Sequence, residues 1–278
     1  MSKPTISIII PLYNKEATVE RSVMSVLNQS YKDIELIIVD DGSTDNSLDI
    51  VRKINDDRMS VYCQPNGGPG VARNTGVRNA HGDWIVFLDA DDALLPDALE
   101  HFVNLSTNNH GYDIFDCGRY IQTGENMTSC YHPLNGAVKN PYKEWFYGRI
   151  APGAGYTMFK RELLVKYPYD SAIRRYEDAE ILIRMFETAK VYSSTHPVGV
   201  HNVDYVQASA PRKNISEDYL GHLNFKKKSF WATMLLYRLF LSERENYVDT
   251  RNLYSWLYKR YDWYVCYQII TRFSFLFN

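Results

Sequence analysis

Apolar, β-branched segments alternating with amphipathic helical ones fill the amino-terminal third of this chain, and few folds accept that pattern. Residues 5–11 (Thr-Ile-Ser-Ile-Ile-Ile-Pro) and 34–40 are apolar on both faces, and residues 59–64 and 83–88 form a weaker and a stronger third and fourth strand. Such runs suit strands covered from both sides. Between them, residues 17–29 place Val19, Val23, Val26 and Leu27 at helical spacing. A second helix carries Leu48, Val51 and Ile54 after the capping oxygens of Ser43, Thr44 and Asp45. A third covers residues 71–80, and a fourth starts near Pro96. Strands joined through single helices require right-handed crossovers, so the expected class is α/β with a doubly wound, mostly parallel sheet.

Ligands in such sheets bind beyond the carboxyl ends of the strands. Those ends read Pro11-Leu12-Tyr13-Asn14, Asp40-Asp41-Gly42-Ser43, Gln64-Pro65-Asn66-Gly67-Gly68 and Asp89-Ala90-Asp91-Asp92. The last packs three carboxylates into four positions at the tip of a buried strand. Like charges held there are costly unless a cation neutralises them. Oxygen-only donors on a short loop suit Mg²⁺ or Mn²⁺, which keep waters and share their shell with phosphates. The competing reading is an acidic turn that caps the next helix.

Several chemistries are excluded. No G-x-G-x-x-G follows the first strand, and the cluster Gly67-Gly68-Pro69-Gly70 lacks that spacing. P-loop, G-x-S-x-G and H-E-x-x-H patterns are absent as well. With 31 basic and 33 acidic residues, a general nucleic-acid binder is not expected. Cys63, Cys117, Cys130 and Cys266 lie far apart without a C-x-x-C pair, which argues against zinc clusters and a disulfide framework. Met1-Ser2-Lys3-Pro4 runs into a strand with no signal pattern, and no apolar run approaches the ~18 residues of a span. The expected location is cytoplasmic, at the inner face of the membrane if the chain is surface-attached.

What remains is a nucleotide-sized crevice with a carboxylate metal site. Pro11-Leu12-Tyr13-Asn14, Val39-Asp40-Asp41-Gly42-Ser43-Thr44-Asp45, Asn66-Gly67-Gly68-Pro69-Gly70-Val71-Ala72-Arg73-Asn74-Thr75-Gly76 and Phe87-Leu88-Asp89-Ala90-Asp91-Asp92 resemble the successive signatures of the family 2 inverting glycosyltransferases. The resemblance implies the A-type, nucleotide-diphospho-sugar transferase fold. It further implies that Asp89-Ala90-Asp91 is a D-x-D motif. Asp91 then contacts Mn²⁺ or Mg²⁺, and Asp89 and Ala90 face the ribose and diphosphate. Tyr13 stacks near the base in a loop with Pro11 and Asn14, Asp41 bonds the base edge, and Asn66 and Arg73 line the nucleotide.

The second half must supply an acceptor site and a base. Direct displacement with inversion needs a carboxylate to take the acceptor proton. Residue type alone makes the acids in Arg175-Tyr176-Glu177-Asp178-Ala179-Glu180 complements to a helix dipole. The family resemblance instead implies that Asp178 is the base, with Glu177 bonding the acceptor or orienting the loop. Residues 151–163, from Ala151-Pro152-Gly153-Ala154-Gly155-Tyr156 onward, resemble the family's bend before a strand and helix. The tryptophan often found there is missing. Some relatives complete the metal shell with a histidine, which here points to His201 ahead of His196.

The expected layout is a catalytic domain over residues 1–213, with a nucleotide-binding half (1–110) and an acceptor-binding half (111–213). A helical, aromatic-rich extension (214–278) follows. Residues 225–278 hold sixteen aromatics and nine Lys/Arg against four Asp/Glu. That composition fits a helix in the headgroup region and equally a helical pack or dimer contact. The resemblance implies transfer of a sugar from a nucleotide-sugar, a UDP-sugar first, to a saccharide or lipid-linked saccharide in surface polysaccharide or lipopolysaccharide assembly. Rival readings are a nucleotidyltransferase of related fold and a non-catalytic binding module.

Overall fold

The computed structural model describes residues 5–130 and 134–204, with Ser229, Trp231, Ala232, Leu235 and Leu236 beyond them. In chain order the first half runs β1 (Ile6–Leu12), α1 (Val19–Leu27), β2 (Ile34–Asp40), α2 (Ser47–Arg52), β3 (Met59–Cys63), α3 (Pro69–Asn79), β4 (Trp84–Phe87), β5 (Ala93–Leu94) and α4 (Ala98–Asn108). The second half runs β6 (Ile114–Thr123), β7 (Asn126–Cys130), β8 (Gly136–Val138), α5 (Pro141–Phe146), β9 (Thr157–Lys160), α6 (Arg161–Lys166), α7 (Glu177–Met185) and β10 (Val191–Asn202).

One sheet holds these strands in the order β3-β2-β1-β4-β9-β6-β10-β5, with β7 on β6 and β8 on β10. The neighbours β3, β2, β1 and β4 are all parallel, as the alternation of strand and helix requires. β9 is antiparallel to both β4 and β6 and joins the two halves, and β10 returns parallel to β6. The order reverses at β1, whose neighbours are β2 and β4, and there the carboxyl ends open a crevice.

Alternate residues of β1 feed opposite cores. Ile9 joins Ile37, Phe87 and α7 residues on one face, and Ile6, Ile8 and Ile10 join Val23, Val26 and Phe102 on the other. Each fully buried aliphatic side chain of this kind stabilises by about 1.5–3 kcal/mol. α3 sits unusually close to β1. A Cβ on Gly76 would stand 2.3 Å from Ile9 Cγ2. Gly76→Ala is therefore expected to cost about 1–3 kcal/mol through overpacking, read as a lower melting temperature. A variant that melts with the parent would show that the contact relaxes freely.

Part of the extension is visible in the core. Ala232, Leu235 and Leu236 are buried in the cluster that contains Tyr142 and Phe186. Trp231 packs at a tilt against Phe146 and Tyr147, with the Lys143 ammonium 5.4 Å from its ring centre. These apolar positions are taken by intramolecular packing. The aromatic tail beyond residue 236 lies outside the described residues. Among the described residues no helix is long and apolar enough to cross a membrane.

Candidate functional site

A cavity of about 520 Å³ opens beyond the ends of β1, β2, β3 and β4, within the size range of small-molecule sites. It gathers Pro11, Tyr13, Asp41, Asn66, Arg73, Asp89, Ala90 and Asp91 from the first half with Glu177 and Asp178 from the second. Asn14 and His201 do not line it. Tyr13 stands at the rim, 47% exposed, where its ring is open to stacking.

The loops are braced by their own polar side chains. Asn14 adopts a left-handed conformation (φ 50°). Its Oδ1 accepts from the Thr44 amide at 2.8 Å, and its own amide donates to Ser43 Oγ. Asn14 thus ties the first loop to the second. Asp41, buried, accepts from the Gln64 side chain at 2.7 Å and from the amides of Gly67 and Gly68 at 2.9 and 2.8 Å. Its carboxylate fixes the glycine loop, in which Gly68 takes φ 91°, a conformation that favours glycine.

The three acids after β4 part company. Asp92 turns inward, with Oδ1 accepting from the Asn202 amide and Oδ2 lying 3.1 Å from His201 Nδ1. Burial pushes the Asp92 carboxyl up, and the bond to Asp92 holds the His201 proton more tightly. This pair ties the acidic loop to β10, so His201 sits on Asp92, apart from Asp91. His196 pairs with Asp97 and stacks on His101, also away from the cavity. Asp89 and Asp91 face the cavity, their backbone pinned to α1 by Thr18 on the Ala90 carbonyl and Ser22 on the Asp92 carbonyl.

Among the described residues, no three His, Cys, Asp or Glu side chains converge to cage a metal. A cation that keeps waters and shares phosphates needs no such cage. Asp91 Oδ2 already holds a positive group, the Lys15 ammonium at 2.5 Å. The donors are carboxylate oxygens alone, and they fit Mg²⁺ or Mn²⁺. The charge count agrees. The lining carries five carboxylates (Asp41, Asp89, Asp91, Glu177, Asp178) against Lys15, Arg73 and Arg174. A diphosphate entering such a field gains from a companion cation.

Arg73 joins the halves. It is 3% exposed and reaches Asp89 Oδ1 at 2.9 Å, Glu177 Oε1 at 2.8 Å and Asp178 Oδ1 at 3.2 Å. Its guanidinium lies 5.8 Å from the Phe87 ring centre and 5.5 Å from that of Tyr169. Burial raises the Glu177 carboxyl pKa, the Asp178 charge adds to that, and Arg73 opposes both. Asp178 remains 35% exposed at the cavity wall. Tyr176, just before these acids, takes φ 56°. That is a genuine outlier for a bulky residue, and such strain concentrates at functional sites. Glu180 is held by Arg184 at 2.5 Å and is absent from the lining.

Three residues escaped the sequence reading. Lys15 directly follows the first loop and Arg174 precedes the acid pair, so proximity was their only signal. Tyr169, whose hydroxyl donates to Asp178 Oδ1 at 2.9 Å, was one of 22 tyrosines with nothing local to mark it. Gly155 (φ 80°) donates its amide to the Phe87 carbonyl, and half-buried Tyr156 lies under the Arg119 guanidinium at 4.1 Å. Below that bend, burial pushes the Asp116 carboxyl up to about 7.

The family model for glycosyl transferase family 2 matches residues 7–167. A glycosyltransferase of Haemophilus influenzae is 48% identical over 113 residues, covering 40% of this chain and 45% of that protein. The Bacillus subtilis glycosyltransferase EpsJ is 39% identical over 45% of this chain and 37% of its own length. The chain therefore spans less than half the length of these curated relatives. A Campylobacter jejuni protein named GalNAc(5)-diNAcBac-PP-undecaprenol beta-1,3-glucosyltransferase is 26% identical over 81% of this chain and 74% of its own. The Staphylococcus aureus TarS 1-349 structure in complex with UDP-GlcNAc superposes with a TM-score of 0.71 at 20% identity, covering 87% of this chain and 73% of TarS 1-349. That likeness shows the fold.

Proposed function

The chain belongs to glycosyl transferase family 2, and we propose that it moves one sugar from a nucleotide donor to an acceptor hydroxyl with inversion at the anomeric carbon. The observation that carries this reading is the meeting of two acid sets in one cavity, Asp89 and Asp91 from the nucleotide side with Glu177 and Asp178 from the other. Donor binding and base chemistry are thereby brought within reach of one substrate.

The roles are those that the family resemblance implies, given to residues that line the cavity. Tyr13 and Pro11 offer a face to the base, Asp41 and Asn66 border it, and Asp89 meets the ribose and diphosphate. Asp91 would hold Mn²⁺ or Mg²⁺, which when bound supplies Lewis-acid stabilisation of the departing diphosphate. Asp178 takes the acceptor proton, and Glu177 orients the acceptor or the loop. A UDP-sugar donor is favoured by the likeness to a fold solved with UDP and with UDP-GlcNAc. A saccharide or lipid-linked saccharide acceptor, in surface polysaccharide assembly, is favoured by the name of the Campylobacter relative.

Calorimetry with UDP, with and without Mn²⁺, is the direct test. Binding should tighten when Mn²⁺ is added, and Asp91→Asn should abolish most of that gain because the site loses its charged ligand. UDP binding that ignores Mn²⁺ would end the metal assignment, and no UDP binding at all would end the donor assignment.

A further inference from the structure

We propose that Tyr169 is a positioning residue that decides which oxygen of Asp178 receives the acceptor proton; the proposal rests on Asp178 being the base. The Tyr169 hydroxyl donates to Asp178 Oδ1 at 2.9 Å, and Arg73 Nη1 lies 3.2 Å from the same oxygen. Both donors engage Oδ1, so the lone pairs of Oδ2 are the ones left to the cavity that Asp178 lines. A carboxylate fixed through one oxygen presents the other in a single orientation, the condition for proton transfer at hydrogen-bond range.

Tyr169 is itself rigidly held. Its amide donates to Asn74 Oδ1 and its carbonyl accepts from Asn74 Nδ2, both at 2.9 Å. The ring packs edge-on to Phe87 at 5.8 Å. Burial raises the phenol pKa well above its ordinary value, so it stays a donor. Arg73 and Asn74 are successive residues of α3. One turn of the nucleotide-side helix therefore carries the support of a base that belongs to the other half.

Tyr169→Phe removes only the hydroxyl and keeps the ring packing. Losing a hydrogen bond to a charged group predicts a fall in kcat of about tenfold to a hundredfold. The donor KM and the UDP affinity should stay at parental values, and the variant should remain folded at the assay temperature. A kcat reduced less than about fivefold, or reduced only in step with donor KM or with loss of folded protein at the assay temperature, overturns the role given to Tyr169. Asp178→Asn, measured alongside, keeps the two ideas apart. Turnover that survives in Asp178→Asn ends the base assignment itself. Turnover lost there beside a parental kcat in Tyr169→Phe ends only the positioning role.

Discussion

Asp178→Asn is expected to lower turnover by about 10²–10⁴-fold while UDP affinity stays nearly unchanged. The amide keeps the shape of the side chain and still accepts from Tyr169 at Oδ1. It cannot take a proton as the acceptor oxygen attacks. Nucleotide affinity should be spared because Asp41, Asn66, Asp89 and Asp91, the residues proposed to meet the nucleotide, stand on other elements of the cavity wall. Steady-state rates with a defined acceptor, beside calorimetry with UDP, read both halves of this result. Glu180 is an unpromising substitute, since Arg184 occupies both its oxygens. Glu177 is bonded to Arg73 through Oε1. A variant of Asp178 near parental activity would nevertheless transfer the base role to Glu177, as the remaining acid on that wall. A product that keeps the donor's anomeric configuration would refute displacement altogether.

Legibility in the sequence followed the range of the interactions. β2 was readable to its last residue because a largely apolar, β-branched run interrupted only by Glu35 and closed by Asp40 has few other fates. The parallel order around β1 followed from the crossovers, and the polar strand ends marked the crevice. β9 was not readable as the link between β4 and β6. A four-residue strand, Thr157–Lys160, carries no periodicity, and its pairing is decided by partners far away in the chain. The same holds within the site. Arg73 and Glu177 are 104 positions apart, Asn74 and Tyr169 are 95 apart, and Asp92 and His201 are 109 apart. A motif names the residues on one loop. It does not say that the histidine expected near Asp91 will settle on Asp92, or that Asn14 will brace a neighbouring loop.

Arg73→Met should be the most destabilising single change in this site. The substitution keeps much of the side-chain volume and removes the cation that Asp89, Glu177 and Asp178 share. Glu177 is the acid this leaves buried and unpaired, a change that costs about 3–5 kcal/mol, while Asp89 and Asp178, each a third or more exposed, regain water. For a chain of this size that is a fall of roughly 6–20 °C in melting temperature. Arg73→Lys should lie between parent and Met, since one ammonium cannot bridge three carboxylates in fixed geometry. The pH dependence supplies a sharper test. Glu177 in the folded parent already holds its proton above the ordinary value of 4.5, and losing Arg73 must raise it further. A carboxyl raised in the folded state takes up protons that the unfolded chain does not hold, so stability is regained as pH falls from that raised pKa toward 4.5. The deficit of Arg73→Met against the parent should thus be larger at pH 8 than near pH 5.5. A deficit equal at both, or larger in acid, would mean that Arg73 stabilises through packing on Phe87 and Tyr169 instead of through charge.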